Sequence, residues 1–242
     1  MANINPLAKL VAAAIIGVAL LLSLDPISGV VALGLELSLL PFAGVPVRRL
    51  WSSLAPLLMA APLAGVATLL YGRGGGAELV TFGPWHITSG NLSLAIAVTI
   101  RVLAVVLPAV VLFASTDPTD LADALAQLWR LPSRFVIGAL AAVRMLAVMG
   151  DDWRMLGMAR RARGVRGGFS RPLAFFTIAI RRGSVLATAM EARGFDSAHQ
   201  RSWARTSRWS SADTIFVIGG AALAAIAVGA AVASGAWNFV IS

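Results

Sequence analysis

The segment TIFVIGGAALAAIAVGAAVASGAW, residues 214–237, carries no charged side chain and is long enough to cross a membrane as a helix. Such a crossing takes about 20 apolar residues, because that length of helix matches the hydrocarbon core of a bilayer. Four segments nearer the N-terminus have a similar length and apolar character, residues 7–24, 27–47, 52–71 and 93–114. The sequence therefore predicts an all-α integral membrane protein with about five transmembrane helices.

The composition favours the same fold class. Charged residues make up 13% of the 242 positions and hydrophobic residues 58%, whereas charged residues are about 25% of an ordinary soluble domain. The chain has no cysteine, so disulfides and cysteine metal sites are excluded. Its two histidines, His86 and His199, are far apart and lie in no zinc-binding pattern, so we predict no metal site.

Positive charge is concentrated in one part of the chain. Fifteen of the 20 basic residues lie from Arg130 to Arg208, with only four acidic residues among them. Basic segments beside membrane helices face the cytoplasm. If the five spans alternate in direction, Lys9 and the pair Arg48-Arg49 fall on the same side as this basic region. The N-terminus is therefore predicted to be cytoplasmic.

This orientation divides the chain into three parts. Residues 1–115 are predicted to form transmembrane helices one to four, and residues 210–242 the last transmembrane helix. Residues 116–209 are predicted to form a cytoplasmic region whose helices lie in the cytoplasm or at the membrane interface. The glycine-rich segment 72–90 is predicted to be a polar loop on the outer side.

The basic region is predicted to contain three helices. The longest, about residues 133–163, is interrupted by basic residues at ten-residue intervals: Arg134, Arg144 and Arg154. An arginine at the centre of a bilayer costs about 2.5–3.5 kcal/mol, so this helix is not expected to be a simple lipid-facing span. Whether residues 133–150 lie along the inner membrane surface or are embedded beneath the other spans stays open.

Two tripeptides of the same sequence end the last two helices of the basic region. They are Ala162-Arg163-Gly164 and Ala192-Arg193-Gly194, thirty residues apart. A glycine just past a helix end can adopt the left-handed conformation that terminates the helix. An arginine in the last turn complements the negative end of the helix dipole and offers a planar fork to a carboxylate. One such tripeptide is ordinary capping, whereas two on adjacent helices favour a pair of binding tips.

Three motifs, in order, resemble a known family. Residues 115–125, STDPTDLADAL, are similar to the start of the coupling region in the transmembrane T component of energy-coupling factor transporters. The first tripeptide resembles that family's first coupling motif. Arg181-Arg182 followed by residues 189–195, AMEARGF, resembles its second. The resemblance covers residues 115–196 well, and the N-terminal spans agree in hydropathy and number.

The resemblance implies a non-catalytic subunit of an ATP-driven importer in the plasma membrane of a prokaryote. T components join two ABC-type ATPase subunits to a small substrate-binding membrane protein, the S component, for uptake of a vitamin or transition metal ion. ATP and Mg²⁺ would be bound by the ATPases, so this chain would need no cofactor. The S component selects the substrate, so the substrate is not indicated here. The implied ATPase-docking residues are Ala162, Arg163, Gly164, Ala192, Arg193 and Gly194.

Other functions are weighed against this one. In a self-sufficient transporter, Arg101 and Glu36 would form a buried ion pair that marks a substrate pathway. A membrane-embedded lipid-modifying enzyme needs clustered acids for a metal, and the pair Asp151-Asp152 has Arg154 nearby as a partner. Nucleic acid is not an expected partner, because alternating basic and apolar positions suit the lipid bilayer and an acidic protein better. A Walker A motif is impossible, since the only lysine, Lys9, precedes a leucine.

The orientation can be tested by cysteine labelling, because the chain has no natural cysteine. Single cysteines replacing Gly75 and Ser170 are expected to react with an impermeant thiol reagent from opposite sides of the membrane. Labelling of both from the same side would contradict the five-span arrangement.

Overall fold

The structure is a computed structural model that describes residues 4–22, 25–44, 47–72, 74–82, 85–164, 170–195 and 203–235. Within these ranges the chain forms eight α-helices and one two-stranded hairpin. The predicted fold class is confirmed. His199 lies outside the described residues.

The helices follow one another with short connections. Helices α1 to α4 are Pro6–Leu21, Pro26–Leu39, Val47–Tyr71 and Ser89–Ser115, with a 3-10 turn at Leu40–Ala43 after α2. Strands β1 and β2 are Glu78–Phe82 and Trp85–Thr88. Helices α5 to α8 are Pro118–Gln127, Ser133–Ala162, Ser170–Ala192 and Ser211–Ala233.

The chain forms two compact units. The first contains Met1–Asp117 together with Arg208–Ser242, and the second contains Pro118–Ser207. The first unit thus holds α1 to α4, α8 and the hairpin, and the second holds α5, α6 and α7. The second unit contains most of the basic region, and its cytoplasmic location stays a prediction.

Small side chains allow the helices of the first unit to pack closely. Its core joins α1, α2, α4 and α8 through Leu20, Ala32, Ala104 and Ala227, which are almost fully buried. Helix α3 packs along α4, and a Cβ at Gly65 would overlap the hydroxyl of Thr99. Close approach of this kind is how helices associate in lipid, where hydrophobic burial contributes little.

Within the described ranges, five helices are long and apolar enough to cross a membrane, but they are not the five that the sequence predicted. They are α3 from Leu50, α4, α6, α7 from Arg171, and α8. Helices α1 and α2 are shorter than the predicted spans 7–24 and 27–47. Helix α2 ends early because Pro41 has no N–H to donate and Gly44 takes a left-handed φ of 64°.

The sequence predicts a polar loop over residues 72–90, but part of this segment forms two strands. Strands β1 and β2 pair as an antiparallel hairpin, with Phe82 opposite Trp85. The hairpin is held to the start of α4 because Asn91 accepts a hydrogen bond from the Gly74 N–H at 2.6 Å and the Thr88 hydroxyl donates to the Gly74 carbonyl at 2.7 Å. The β-branched residues of these strands were a signal that the glycine content obscured.

A buried ion pair joins α2 to α4. The Arg101 guanidinium lies 3.8 Å from a carboxylate oxygen of Asp25, whose side chain is fully buried. The other carboxylate oxygen caps α2 by accepting from the Ser28 N–H, and the Ser28 hydroxyl donates to Asp25 at 2.8 Å. The pairing of Arg101 with Glu36 that the alternative of a self-sufficient transporter requires is therefore not formed. Asp25, which begins α2, reaches Arg101 instead.

Removal of one partner from this buried pair should destabilise the first unit. Asp25→Ala leaves Arg101 uncompensated, which costs about 3–5 kcal/mol and lowers the melting temperature in detergent by roughly 10 °C. Asp151→Ala is the matched control, because Asp151 and its partner Arg154 are exposed, at 72% and 81% of their side-chain areas, and such surface pairs contribute about 0–1 kcal/mol. Equal melting temperatures for the two variants would contradict this reading.

Candidate functional site

Helix α5 and the loop before α8 brace the start of α6 in the second unit. Ala122 and Ala126 of α5 pack on Val136 of α6, and Trp203 lies against the same cluster. The Gln127 side chain bonds to the backbone of the 203–207 segment, accepting from the Ser207 N–H at 2.8 Å. These contacts fix the N-terminal half of α6, which carries the wall of the groove described below.

Helices α6 and α7 form an antiparallel pair held by two arginines. The Asp152 carboxylate accepts hydrogen bonds from both Nε and Nη2 of Arg182, at 2.5 and 2.7 Å. Such a bidentate pair fixes orientation as well as contributing energy. Nearby, the Arg171 guanidinium stacks 4.0 Å from the ring centroid of Trp153 and donates to the Trp153 carbonyl at 3.0 Å. The ring of Trp153 also packs edge-on against Phe175, with centroids 5.1 Å apart.

The antiparallel arrangement places the two Ala-Arg-Gly tripeptides at opposite ends of the pair. Phe195, just past the end of α7, lies beside Gly138 near the start of α6. Arg163, at the other end of α6, is 25 residues from Gly138, which at 1.5 Å per residue is on the order of 35 Å. The two tips are therefore far apart. The sequence could not show this, because it depends on the direction in which α7 returns along α6.

Both tips have the backbone conformation that the sequence predicted. Gly164 and Gly194 have φ values of 72° and 71°. At the end of α7 the Phe195 N–H donates to the Met190 carbonyl at 3.0 Å and the Gly194 N–H donates to the Glu191 carbonyl at 2.9 Å. These two bonds make a Schellman motif. At the end of α6 the Gly164 N–H donates to the Arg161 carbonyl at 3.0 Å.

The arginines at the two tips differ from several others in the second unit. Arg163 and Arg193 are both exposed, and among the described residues neither guanidinium has a hydrogen-bond or ion-pair partner. In contrast, Arg182, Arg154 and Arg205 each pair with an aspartate. The tips thus present two free, planar donors in the last turn of a rigid helix pair, where an acidic partner could reach them.

A groove runs between the first half of α6 and the second half of α7. It has a volume of about 500 Å³. Apart from two guanidinium groups, those of Arg144 and Arg193, its lining is apolar. The apolar residues include Leu140, Met145, Leu186, Met190 and Phe195. One tip therefore adjoins an apolar cleft, a feature that the sequence pattern did not predict.

The acidic pair Asp151-Asp152 does not form an open carboxylate cluster. Asp151 lies 3.7 Å from Arg154, the partner predicted from the sequence, and Asp152 forms an ion pair with Arg182. Among the described residues, no three His, Cys, Asp or Glu side chains lie close enough together to hold a metal ion. The observation that motivated the lipid-modifying enzyme therefore has another explanation, which is the fastening of α6 to α7.

Comparison with known proteins identifies the family. The CbiQ family, described as cobalt transport protein, matches residues 1–203. The chain belongs to this family. It is 30% identical over 193 residues to the energy-coupling factor transporter transmembrane protein EcfT of Limosilactobacillus fermentum, with 70% of each chain covered. It is 29% identical over 191 residues to EcfT of Exiguobacterium sibiricum, with 72% of each chain covered.

Another relative carries a different name. A putative ABC transporter ATP-binding protein of Bifidobacterium longum is 26% identical over 186 residues, which cover 69% of this chain and 24% of that protein. Together these matches confirm the resemblance to T components. The protein is a multi-pass membrane component of an energy-coupling factor transporter of the bacterial type.

The tip glycines allow a test of the helix ends. Gly164→Ala and Gly194→Ala place a Cβ in the left-handed region and should each destabilise the second unit by about 1–2 kcal/mol. Gly150→Ala and Gly183→Ala are the matched controls, because these glycines lie inside α6 and α7 with open space around them. They should stabilise by about 0.5–1 kcal/mol. Unfolding free energies of the four variants would show opposite signs, and equal signs would contradict the assigned tip geometry.

Proposed function

We propose that this T component couples ATP-driven movement of two ABC-type ATPase subunits to a substrate-binding S component through the tips at Arg163 and Arg193. The observation that carries the proposal is that these two arginines stand exposed at helix ends, each beside a glycine in the left-handed conformation, with no partner among the described residues. A free guanidinium at a helix end is suited to an acidic groove on a partner, since a bidentate contact to a carboxylate fixes both position and orientation.

The distance between the tips supports two separate ATPase contacts. A standard protein interface buries about 800 Å² on each partner, a patch roughly 30 Å across. Two tips on the order of 35 Å apart are separated by more than the width of one such patch, whereas each could sit in a groove of its own ATPase subunit. Movement of the two subunits would then act on the two ends of one helix pair.

The fastening of α6 to α7 supports transmission of movement. The bidentate bond between Asp152 and Arg182 and the stacking of Arg171 on Trp153 attach two adjacent residues of α6 to the middle and to the start of α7. A pair of helices joined in this way moves as a lever rather than as two independent rods. Displacement of either tip would therefore be carried along the pair.

An apolar face on α7 supports an S component as the second kind of partner. Leu173, Phe176 and Ile180 follow one another at helical spacing and are 69%, 65% and 57% exposed. An exposed apolar stripe of this kind marks an interaction surface with protein or lipid. In this proposal the S component covers it, and the S component also selects the vitamin or transition metal ion.

The remaining expectations belong to the same proposal. ATP and Mg²⁺ are bound by the ATPases, and this chain has no lysine outside Lys9 with which to build a Walker A motif. The Bifidobacterium relative, a quarter of which matches this chain, is named for ATP binding, which supports a close association of T-like sequence with ATPases.

The complex is placed in the plasma membrane with the N-terminus cytoplasmic. Ala162, Gly164, Ala192 and Gly194 shape the tips.

The docking role predicts a large loss of ATPase affinity when a tip arginine is truncated. Removal of one member of a buried, charge-assisted pair costs about 2–5 kcal/mol, which is a thirtyfold or greater loss of affinity. Arg163→Ala and Arg193→Ala should each weaken co-purification of the ATPases and uptake, and the double variant should be worse than either. Arg→Lys at these positions should rescue little, because a point charge replaces a planar fork.

Arg154→Ala is the control for this experiment. Arg154 lies on the same helix as Arg163 but is exposed and paired only with Asp151, so its loss should leave assembly intact. Melting temperatures of all variants separate docking from folding. If the arginines only cap their helices, ATPase retention would survive in the double variant while its melting temperature falls, and the docking role would be wrong.

A further inference from the structure

The first unit contains a cavity of about 480 Å³ between α1, α2, α4 and α8. One end lies where four helix termini meet, near Lys9 of α1, Leu39 of α2, Ser115 of α4 and Ile215 of α8. Leu39 and Ile215 are 51% and 69% exposed, so the cavity opens to the surroundings at this end. Of these four helices, α4 and α8 are long enough to cross a membrane, and the termini of such helices lie near the headgroup layer of the bilayer, which places the opening at headgroup depth.

The cavity is polar at its opening and apolar inside. Lys9, Glu36 and Ser115 lie towards the helix termini, whereas Ile16, Leu107 and Leu223 line the far end. Along the helices the two groups are about two turns apart, on the order of 10 Å. A cavity with this gradient is complementary to an amphiphile with a polar head and an apolar chain, and not to a small ion or a wholly polar solute.

Glu36 is the group in this cavity whose bonding is incomplete. It is 6% exposed, and neither carboxylate oxygen has a hydrogen-bond partner among the described residues. The nearby Lys9 ammonium donates to the carbonyl and the hydroxyl of Ser115, both at 3.2 Å. That leaves one of its three donors available. In the same unit the Asp25 side chain is also buried, but it is hydrogen-bonded and ion-paired. Glu36 differs from Asp25 in lacking such bonds.

We infer that the cavity binds one zwitterionic aminophospholipid. The ammonium of its headgroup donates to Glu36, its phosphate accepts from Lys9, and the upper part of one acyl chain fills the apolar end. An unpartnered ionisable group at membrane depth is costly and marks a binding site. An anionic lipid such as phosphatidylglycerol would leave Glu36 unsatisfied, and a choline headgroup has no N–H to donate. The volume suits a headgroup and part of a chain, within the usual range of ligand cavities, about 300–1,000 Å³.

Native mass spectrometry of the purified full chain in mild detergent tests the inference. With phosphatidylethanolamine and phosphatidylglycerol at equal concentration, one phosphatidylethanolamine is expected to stay bound per chain. Glu36→Gln should reduce its affinity about tenfold or more, since a charge-assisted bond is lost. Glu78→Gln, an exposed carboxylate on β1, should leave the affinity unchanged.

A second pair of variants tests the location independently of charge. Gly219 lines the cavity and Gly229 does not, yet both lie on α8 with no other atom near the Cβ position. Gly219→Leu fills the cavity and should abolish lipid retention, whereas Gly229→Leu should retain the lipid. Similar melting temperatures for these variants confirm that both are folded.

Three results would overturn the inference. Equal retention of the two lipids would show that the ammonium is not recognised. Full retention by Glu36→Gln or Gly219→Leu would show that the lipid does not bind in this cavity. Displacement of the lipid by an equal concentration of free phosphoethanolamine would show that the cavity takes a soluble headgroup compound. Should Gly219→Leu fail to fold, the comparison of Glu36→Gln with Glu78→Gln decides the question.

Discussion

A polypeptide in hydrocarbon has no water to bond, so its backbone N–H and C=O groups must be satisfied by one another. The helices of the first unit follow from this constraint, and so does the way they associate. Because burial of apolar groups against lipid gains little, the helices rely on close contact between small residues, as at Gly65 against Thr99 and at Ala104 in the core. The hairpin β1–β2, which is not helical, is held by side-chain bonds from Thr88 and Asn91 to the backbone before it.

Polar groups in the first unit are governed by the same constraint. Asp25 and Arg101 lie inside the unit and satisfy each other, with Ser28 completing the bonding of the carboxylate. Glu36 is also buried but lies in an open cavity, without such a partner among the described residues. The difference between the two acids is the reason to assign structure to one and ligand binding to the other. Neither role could be read from the fact that an acid interrupts an apolar run.

In the second unit two pairs of arginines differ in their bonding. Arg182 and Arg171 hold α6 against α7, one through a carboxylate and the other through an indole ring. Arg163 and Arg193 end the two helices and bond to nothing in the described chain. Under the proposed function both pairs are needed, since a partner's movement can be transmitted only if the element that receives it is stiff. The arginines named here therefore serve internal fastening and, under the proposed function, a surface for partners.

Local sequence determined the fold class, the helix over 133–162 with its end at Gly164, the matching end at Gly194, and the family to which the motifs belong. These properties depend on composition, helix period and capping, which neighbouring residues decide. The partner of Arg101, the pairing of Asp152 with Arg182, the separation of the two tips and the cavity at Glu36 were decided only by the tertiary structure. Each depends on which helix lies beside which, and in what direction. A buried charge bonds to whatever group packing brings near, and residues 76 or 30 positions apart in the chain leave no local pattern to show it.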